Sequence, residues 1–549
     1  MIPLLAAATL LSTTPQAPQP APPAAPPATE PQAPAPDAPP KPARRQRPEW
    51  KPTVTTLPTD LWVDATEATL GATAEWTNKV ELADVDGDGR PDILFANGGD
   101  YDKRGALVAS RVFLNRGAEA KFEDATARVF GDARFYARVI KVRDVNRDGR
   151  ADVFVGSTFE TQSGLFLGAE GGKFRDASAD LLPQAAGNIG DVEFGDVDGD
   201  GDLDLVLAEW GSGSPMKNEG GRTQLWLNDG AGKFSDATKE RMPDVLVRFC
   251  WELEFVDVDN DLDLDLVISS KRSSGSFLFE NDGAGKFRDA TAGRMPQFTN
   301  NYEFEAMDLD GDGALDLVTI NDGPRFTEHV LRGDGVGGFS DVTAAWWPEA
   351  DNPSFDDNMV CFLDYDSDGD ADFVIGSLDG PDRLLVNDGK GKLAAAAPVF
   401  AGDSTRGTLG IALADLNGDK KLDVVHAQGE NPKAEAEKVF FGKALAPDTA
   451  GPTIGALRAL EAPAAGKALT LCVRVHDRKS PLAAHDFQRV VLRVEQGGAT
   501  KELPLEWYGE MLWRARVPAP VAGKLTARVE AVDAAGNSSV GAPLELEIK

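Results

Sequence analysis

Seven copies of one short acidic pattern carry the chemistry legible in this chain. The first is Asp84-Val85-Asp86-Gly87-Asp88-Gly89-Arg90-Pro91-Asp92, and the others begin at Asp144, Asp196, Asp257, Asp308, Asp364 and Asp415. Successive starts lie 60, 52, 61, 51, 56 and 51 residues apart. Loop positions one, three, five and nine are the ligand candidates. They are Asp84, Asp86, Asp88 and Asp92; Asp144, Asn146, Asp148 and Asp152; Asp196, Asp198, Asp200 and Asp204; and Asp257, Asp259, Asp261 and Asp265. The remaining three sets are Asp308, Asp310, Asp312 and Asp316; Asp364, Asp366, Asp368 and Asp372; and Asp415, Asn417, Asp419 and Asp423. Carboxylates this close repel one another unless a cation joins them. Oxygen-only donor sets suit a hard divalent ion, and calcium tolerates an all-protein cage better than magnesium does. Up to seven calcium ions are expected. Leu262 and Lys420 stand at position six, where the sharp turn favours glycine, so the loops at Asp257 and Asp415 should bind most weakly. Lys420 should also bring positive charge toward its ion.

Strand-like runs must position these loops. One run leads in (KVELADVD, VEFGDVD) and another leads out (DILFAN, DLVLAE). A third (RVFLN, LWLN) and a fourth (KFEDAT, KFSDAT) follow, joined by turns such as NDGAG. Alternation and bounding turns predict four strands per unit, and a period near 50 predicts propeller blades. The last unit lacks its fourth strand, while residues 61–66 (LWVDAT) read as an orphan fourth strand. Pairing of the two would close the ring and remove exposed sheet edges.

The acidic repeats resemble FG-GAP/VCBS repeats, the family that includes integrin α-chain N-terminal propellers. That resemblance implies a seven-bladed β-propeller, calcium in hairpin loops on one face, and adhesion or recognition. The expected fold is all-β, with a seven-bladed propeller over 59–446 closed by its N-terminal strand. A β-sandwich resembling bacterial Ig-like modules follows over 447–549, carrying DAAGNSS near its end. Residues 1–17 read as a signal peptide, and the Pro/Ala-rich residues 18–58 as an extended linker.

The net charge of −33 argues against nucleic acid or an anionic membrane as partner. No segment is apolar enough to span a bilayer as a helix. Cys250, Cys361 and Cys472 show neither zinc spacing nor a disulfide framework. No nucleophile, zinc-protease or nucleotide motif is present, so no catalytic residue is assigned.

Three residues before each loop stand Glu81, Lys141, Glu193, Glu254, Glu305, Cys361 and Ala412. This ring is expected to face a water-filled central channel. Longer insertions at 97–111, 209–222 and 321–329 offer Trp, Tyr and Arg for a partner. Arg332-Gly333-Asp334 spells an adhesion tripeptide, but it falls in a turn and is read as chance.

The expectation is a secreted, periplasmic or cell-surface monomer. It would act as a non-catalytic, calcium-dependent recognition or adhesion module for extracellular protein or polysaccharide. The alternatives are a calcium-assisted lyase or glycosidase, and a structural matrix or stalk protein.

Overall fold

The computed structural model describes residues 50–549 apart from 72, 74, 101, 118–120, 272–274, 322–326, 402–404, 430–435 and 483. The expected signal peptide and most of the linker therefore lie outside the described residues. The fold is all-β, built from many small sheets.

Each acidic loop joins the first two strands of a sheet that is four-stranded and antiparallel in six cases and gains a fifth, parallel strand in the seventh. The first sheet runs Thr77–Ala83, Asp92–Asn97, Arg111–Asn115 and Phe122–Asp124. Its first two strands are nearly all buried, because neighbouring sheets cover both faces. The innermost strands are Thr77–Ala83, Ala137–Arg143, Ile189–Gly195, Leu253–Val256, Asn301–Met307, Asp357–Leu363 and Thr408–Ala414. Each lies beside the next, and the last lies beside the first. Trp62–Asp64 pairs antiparallel with Lys438–Gly442 in the seventh sheet, with Trp62 opposite Gly442. Phe400–Ala401 adds a parallel edge beyond Trp62, which the sequence pattern did not signal.

The repeated Asp-x-Thr/Ser at the outer edge has a defined job. Asp124 accepts from the Thr126 N–H at 2.9 Å, and Asp236 from the Thr238 N–H at 2.9 Å. The same threonines accept through Oγ1 from the N–H groups of Val112 and Leu225 on the third strand. One-turn helices such as Thr126–Phe130 and Thr238–Arg241 start at these threonines. A strand-only reading of the repeat overlooked them.

Residues 453–548 form two five-stranded sheets. One carries Leu469–His476 against Leu512–Val517, and the other Phe487–Gln496 against Gly523–Asp533. Leu471, Val473, Leu492, Val529 and Ala531 fill the space between them. All three cysteines are free and buried.

The C-terminal domain sits on the face that carries the acidic loops. Tyr508 donates its hydroxyl to Leu262 O at 2.6 Å, and Ser480 Oγ accepts from the Phe362 N–H at 3.0 Å. This overturns the expected open channel. Glu81, Glu193, Glu254 and Glu305 are all buried, and Pro481 and Glu510 of the C-terminal domain close the space they face.

Candidate metal centres

Position nine is the structural anchor of every loop. Asp92 accepts from Val85 N–H through Oδ2 at 2.8 Å and from Asn115 N–H through Oδ1 at 2.7 Å. Asp152, Asp204, Asp265, Asp316, Asp372 and Asp423 repeat both contacts within 3.3 Å. One oxygen closes its own loop and the other ties that loop to the third strand. Burial is the main cause raising these acids, with the backbone hydrogen bonds opposing it. Asp152 rises to about 6, Asp92, Asp316 and Asp423 to about 7, Asp204 to about 8 and Asp265 to about 9. Asp372 moves well above the usual carboxylate range for the same reason.

Position one organises the turn. Asp84 accepts from the N–H groups of Gly87, Asp88 and Gly89 at 2.8–3.0 Å. The chain is left-handed at position six in every loop, from Gly89 (φ 85°) to Leu262 (71°) and Lys420 (67°). Position four is left-handed as well, even where Arg147, Asn260 or Ser367 occupies it.

Positions one, three and nine converge in at least four loops. The sets Asp84/Asp86/Asp92, Asp196/Asp198/Asp204, Asp308/Asp310/Asp316 and Asp364/Asp366/Asp372 each bring ligand oxygens within 4.8 Å of one another. In the loop at Asp257 the converging set is Asp257, Asp259 and Asp261, without position nine. Asp86 Oδ1 and Asp198 Oδ1 are buried and have no hydrogen-bond partner. An unsatisfied buried carboxylate oxygen amid other carboxylates fits a cation.

Arginine reaches several loops too. Arg116 lies 2.6 Å from Asp86, Arg150 2.6 Å from Asp148 and Arg332 2.6 Å from Asp310. Three more come from the C-terminal domain and contact position one. Arg474 Nη2 lies 2.8 Å from Asp257 Oδ2, Arg478 Nε 3.2 Å from Asp364 Oδ2, and Arg514 pairs with Asp196. These arginines were missed in the sequence because they lie more than 100 residues from their partners. Lys420 donates its ammonium to Ala535 O at 2.6 Å, on the C-terminal domain. Arg332 of the RGD tripeptide is held on the Asp310 loop, and Asp334 accepts from Val336 and Gly338 N–H within its own turn.

The Asn-Asp turn also does more than reverse the chain. Asn115, Asn228, Asn281 and Asn387 donate through Nδ2 to Leu416, Val145, Val197 and Leu309 O at 2.8–3.0 Å. Each acceptor is position two of the preceding sheet's loop, so these amides lock neighbouring sheets together. The Asn at or just after the end of each third strand, followed by Asp in three of the four, was their sequence signal.

Between the loops at Asp364 and Asp415 and the C-terminal domain lies a cleft of about 470 Å³, lined by Tyr365, Lys420, Asp477 and Arg478 among others. On the opposite face, Ser214 Oγ donates to Asp102 at 3.1 Å, joining two of the insertions. Trp210, expected to be exposed there, is buried against Phe249 and Trp251. Residues 322–326 of the third insertion lie outside the described residues.

A model described as an FG-GAP-like repeat matches residues 84–155, 144–207, 257–319 and 364–426. The chain carries FG-GAP-like repeats. Integrin alpha-PS5 of Drosophila melanogaster is 35% identical over 152 residues, which cover 24% of this chain and 15% of that protein. The chain thus spans only a small part of that relative's length. Among solved structures, a Lactobacillus plantarum protein is similar with a TM-score of 0.40 and 14% identity over 59% of this chain and 85% of its own. The V. cholerae biofilm matrix protein Bap1 has a TM-score of 0.33 and 14% identity, covering 87% and 73%. Penicillium chrysogenum alpha-L-arabinanase has a TM-score of 0.34 and 11% identity, covering 66% and 92%. No described helix is long and apolar enough to cross a membrane.

Proposed function

We propose that this chain is an extracellular, calcium-stabilised recognition module. In this reading the seven sheets are blades of one closed propeller, bounded near residues 59 and 446, with an Ig-like sandwich capping its loop face. Calcium would be held by positions one, three, five and nine, and would supply charge compensation that stiffens each hairpin. The orphaned oxygens of Asp86 and Asp198 are the observation that carries this assignment. The loops at Asp84 and Asp308 keep the one-three-nine set and lie outside the reach of Arg474, Arg478 and Arg514, although Arg116 and Arg332 meet their position-three carboxylates.

Recognition of protein or glycan falls to surfaces other than the loop carboxylates. The insertions at 97–111 and 209–222 form one such surface. The cleft beside Tyr365 is a second, and its volume suits a small polar ligand such as a sugar unit. FG-GAP-like repeats and the integrin α relative favour adhesion over catalysis. Saturable, chelator-sensitive binding on a glycan and cell-surface protein panel, without product release, is the expected result. Release of unsaturated or free sugar from a polymer on that panel would overturn it in favour of an enzyme.

A further inference from the structure

The buried glutamates at the centre of the ring of sheets form a second kind of site. Three cations point into this region, and each already has a carboxylate partner. Lys79 pairs with Glu252 at 3.0 Å, Lys141 with Glu193 at 2.5 Å, and Arg143 with Glu81 at 2.7 Å. Glu254 and Glu305 are left over. They are 8% and 7% exposed, and the Oε2 atom of each is buried with no hydrogen-bond partner. Both line one cavity of about 40 Å³. Glu510 lines it as well, reaching in from the tip of a C-terminal hairpin.

That tip is built into place. Gly509 sits so close to Leu264 that a Cβ there would lie 2.5 Å from its Cδ1, and Glu510 itself adopts φ 44°. Three carboxylates are thus brought together from two sheets and a separate domain. Burial is the first cause that raises Glu254, and repulsion from Glu305 and Glu510 adds to it. The cavity is small, with room for a few waters or for one ion and its water. An isolated buried carboxylate is costly, and a hard divalent cation with oxygen ligands removes that cost at this size and donor type.

We infer that Glu254, Glu305 and Glu510 hold one divalent cation, of the calcium class, at the junction of the sheet ring and the C-terminal domain. This ion is separate from those of the acidic loops and pins the two parts together.

The full-length chain, stripped with chelator and reloaded with Ca²⁺, tests the inference by metal counting. The Glu254→Gln/Glu305→Gln variant should bind one Ca²⁺ fewer per chain, and an unchanged count in the folded variant overturns the site. Glu510→Gln, at a hairpin tip, gives the same reading should the double variant fail to fold. Crystals of the unaltered chain soaked in Mn²⁺ should show an anomalous peak between the three carboxylates. No peak there overturns the site whatever the loops hold. Peaks in the acidic loops report separately on the proposed function.

Discussion

The loops at Asp84 and Asp257 share a motif but neutralise its charge differently. In the first, positions one, three and nine converge and Asp86 Oδ1 has no partner. In the second, position nine drops out of the converging set, and Arg474 of the C-terminal domain contacts Asp257 Oδ2, Asp257 O and Asn260 Oδ1. The side chain at position six differs too: Gly89 stands in the open, whereas Leu262 is buried against the C-terminal domain and the fourth sheet. The same sequence pattern therefore presents a converging carboxylate set in one place and a docking socket for Arg474 in another. What differs is where the guanidinium lands: Arg116 meets position three of the first loop, and Arg474 meets position one of the second.

The position-nine aspartate should be equivalent in both loops, and that is the largest expected effect. Asp92→Ala and Asp265→Ala each strand two buried backbone N–H groups, costing about 3–4 kcal/mol in denaturant unfolding. A much milder Asp265→Ala would break the claim that the two loops share one anchor.

Next comes Arg474→Ala, which leaves Asp257 buried and uncompensated. Without calcium it should lose about 3 kcal/mol. Millimolar calcium should restore much of that, and the bound-metal count should rise by one. A loss that calcium does not touch would show that this loop is not a latent ion site.

The pH dependence separates the loops at a smaller scale. In chelator, an acid whose folded pKa is raised holds its proton longer in the native state than in the unfolded chain. The stability it provides is complete below the unfolded value near 4 and falls as pH rises toward the folded value. For Asp92 that fall ends near 7, and for Asp265 near 9. Asp265→Asn should flatten the slope between pH 7 and 9 by roughly 1 kcal/mol per unit, while Asp92→Asn leaves that window unchanged. Melting curves across pH in EDTA check this.

Position six gives the most diagnostic pair. Lys420→Gly should stabilise by about 0.5–1 kcal/mol, because it relieves a left-handed non-glycine residue that is exposed. Leu262→Gly should instead destabilise by roughly 2 kcal/mol, since its buried side chain outweighs the same backbone relief. Equal signs would mean that the Asp257 loop is not packed against the C-terminal domain.

Much of the architecture was legible. Alternating runs around each Asp-x-Asp loop marked the inner strands, and LWVDAT anticipated the pairing of Trp62–Asp64 with Lys438–Gly442. The convergence of positions one and three was readable as well, because a short loop fixes their relative places. Other features were not. Position nine was read only as a ligand, whereas its two oxygens hold backbone groups that no linear spacing reveals. The glutamates before the loops were read as solvated, because nothing local says that Pro481 and Glu510 cover them.

The sequence by itself determined the repeat, the oxygen-rich loops and the left-handed turn at position six, since all of these depend on residues within about ten positions of one another. Only the tertiary structure decided which aspartates meet arginine, which glutamates lose water and which loop face is covered. Those outcomes depend on Arg474, Arg478, Arg514 and Glu510 arriving from a different domain, and electrostatic partnership follows distance in space.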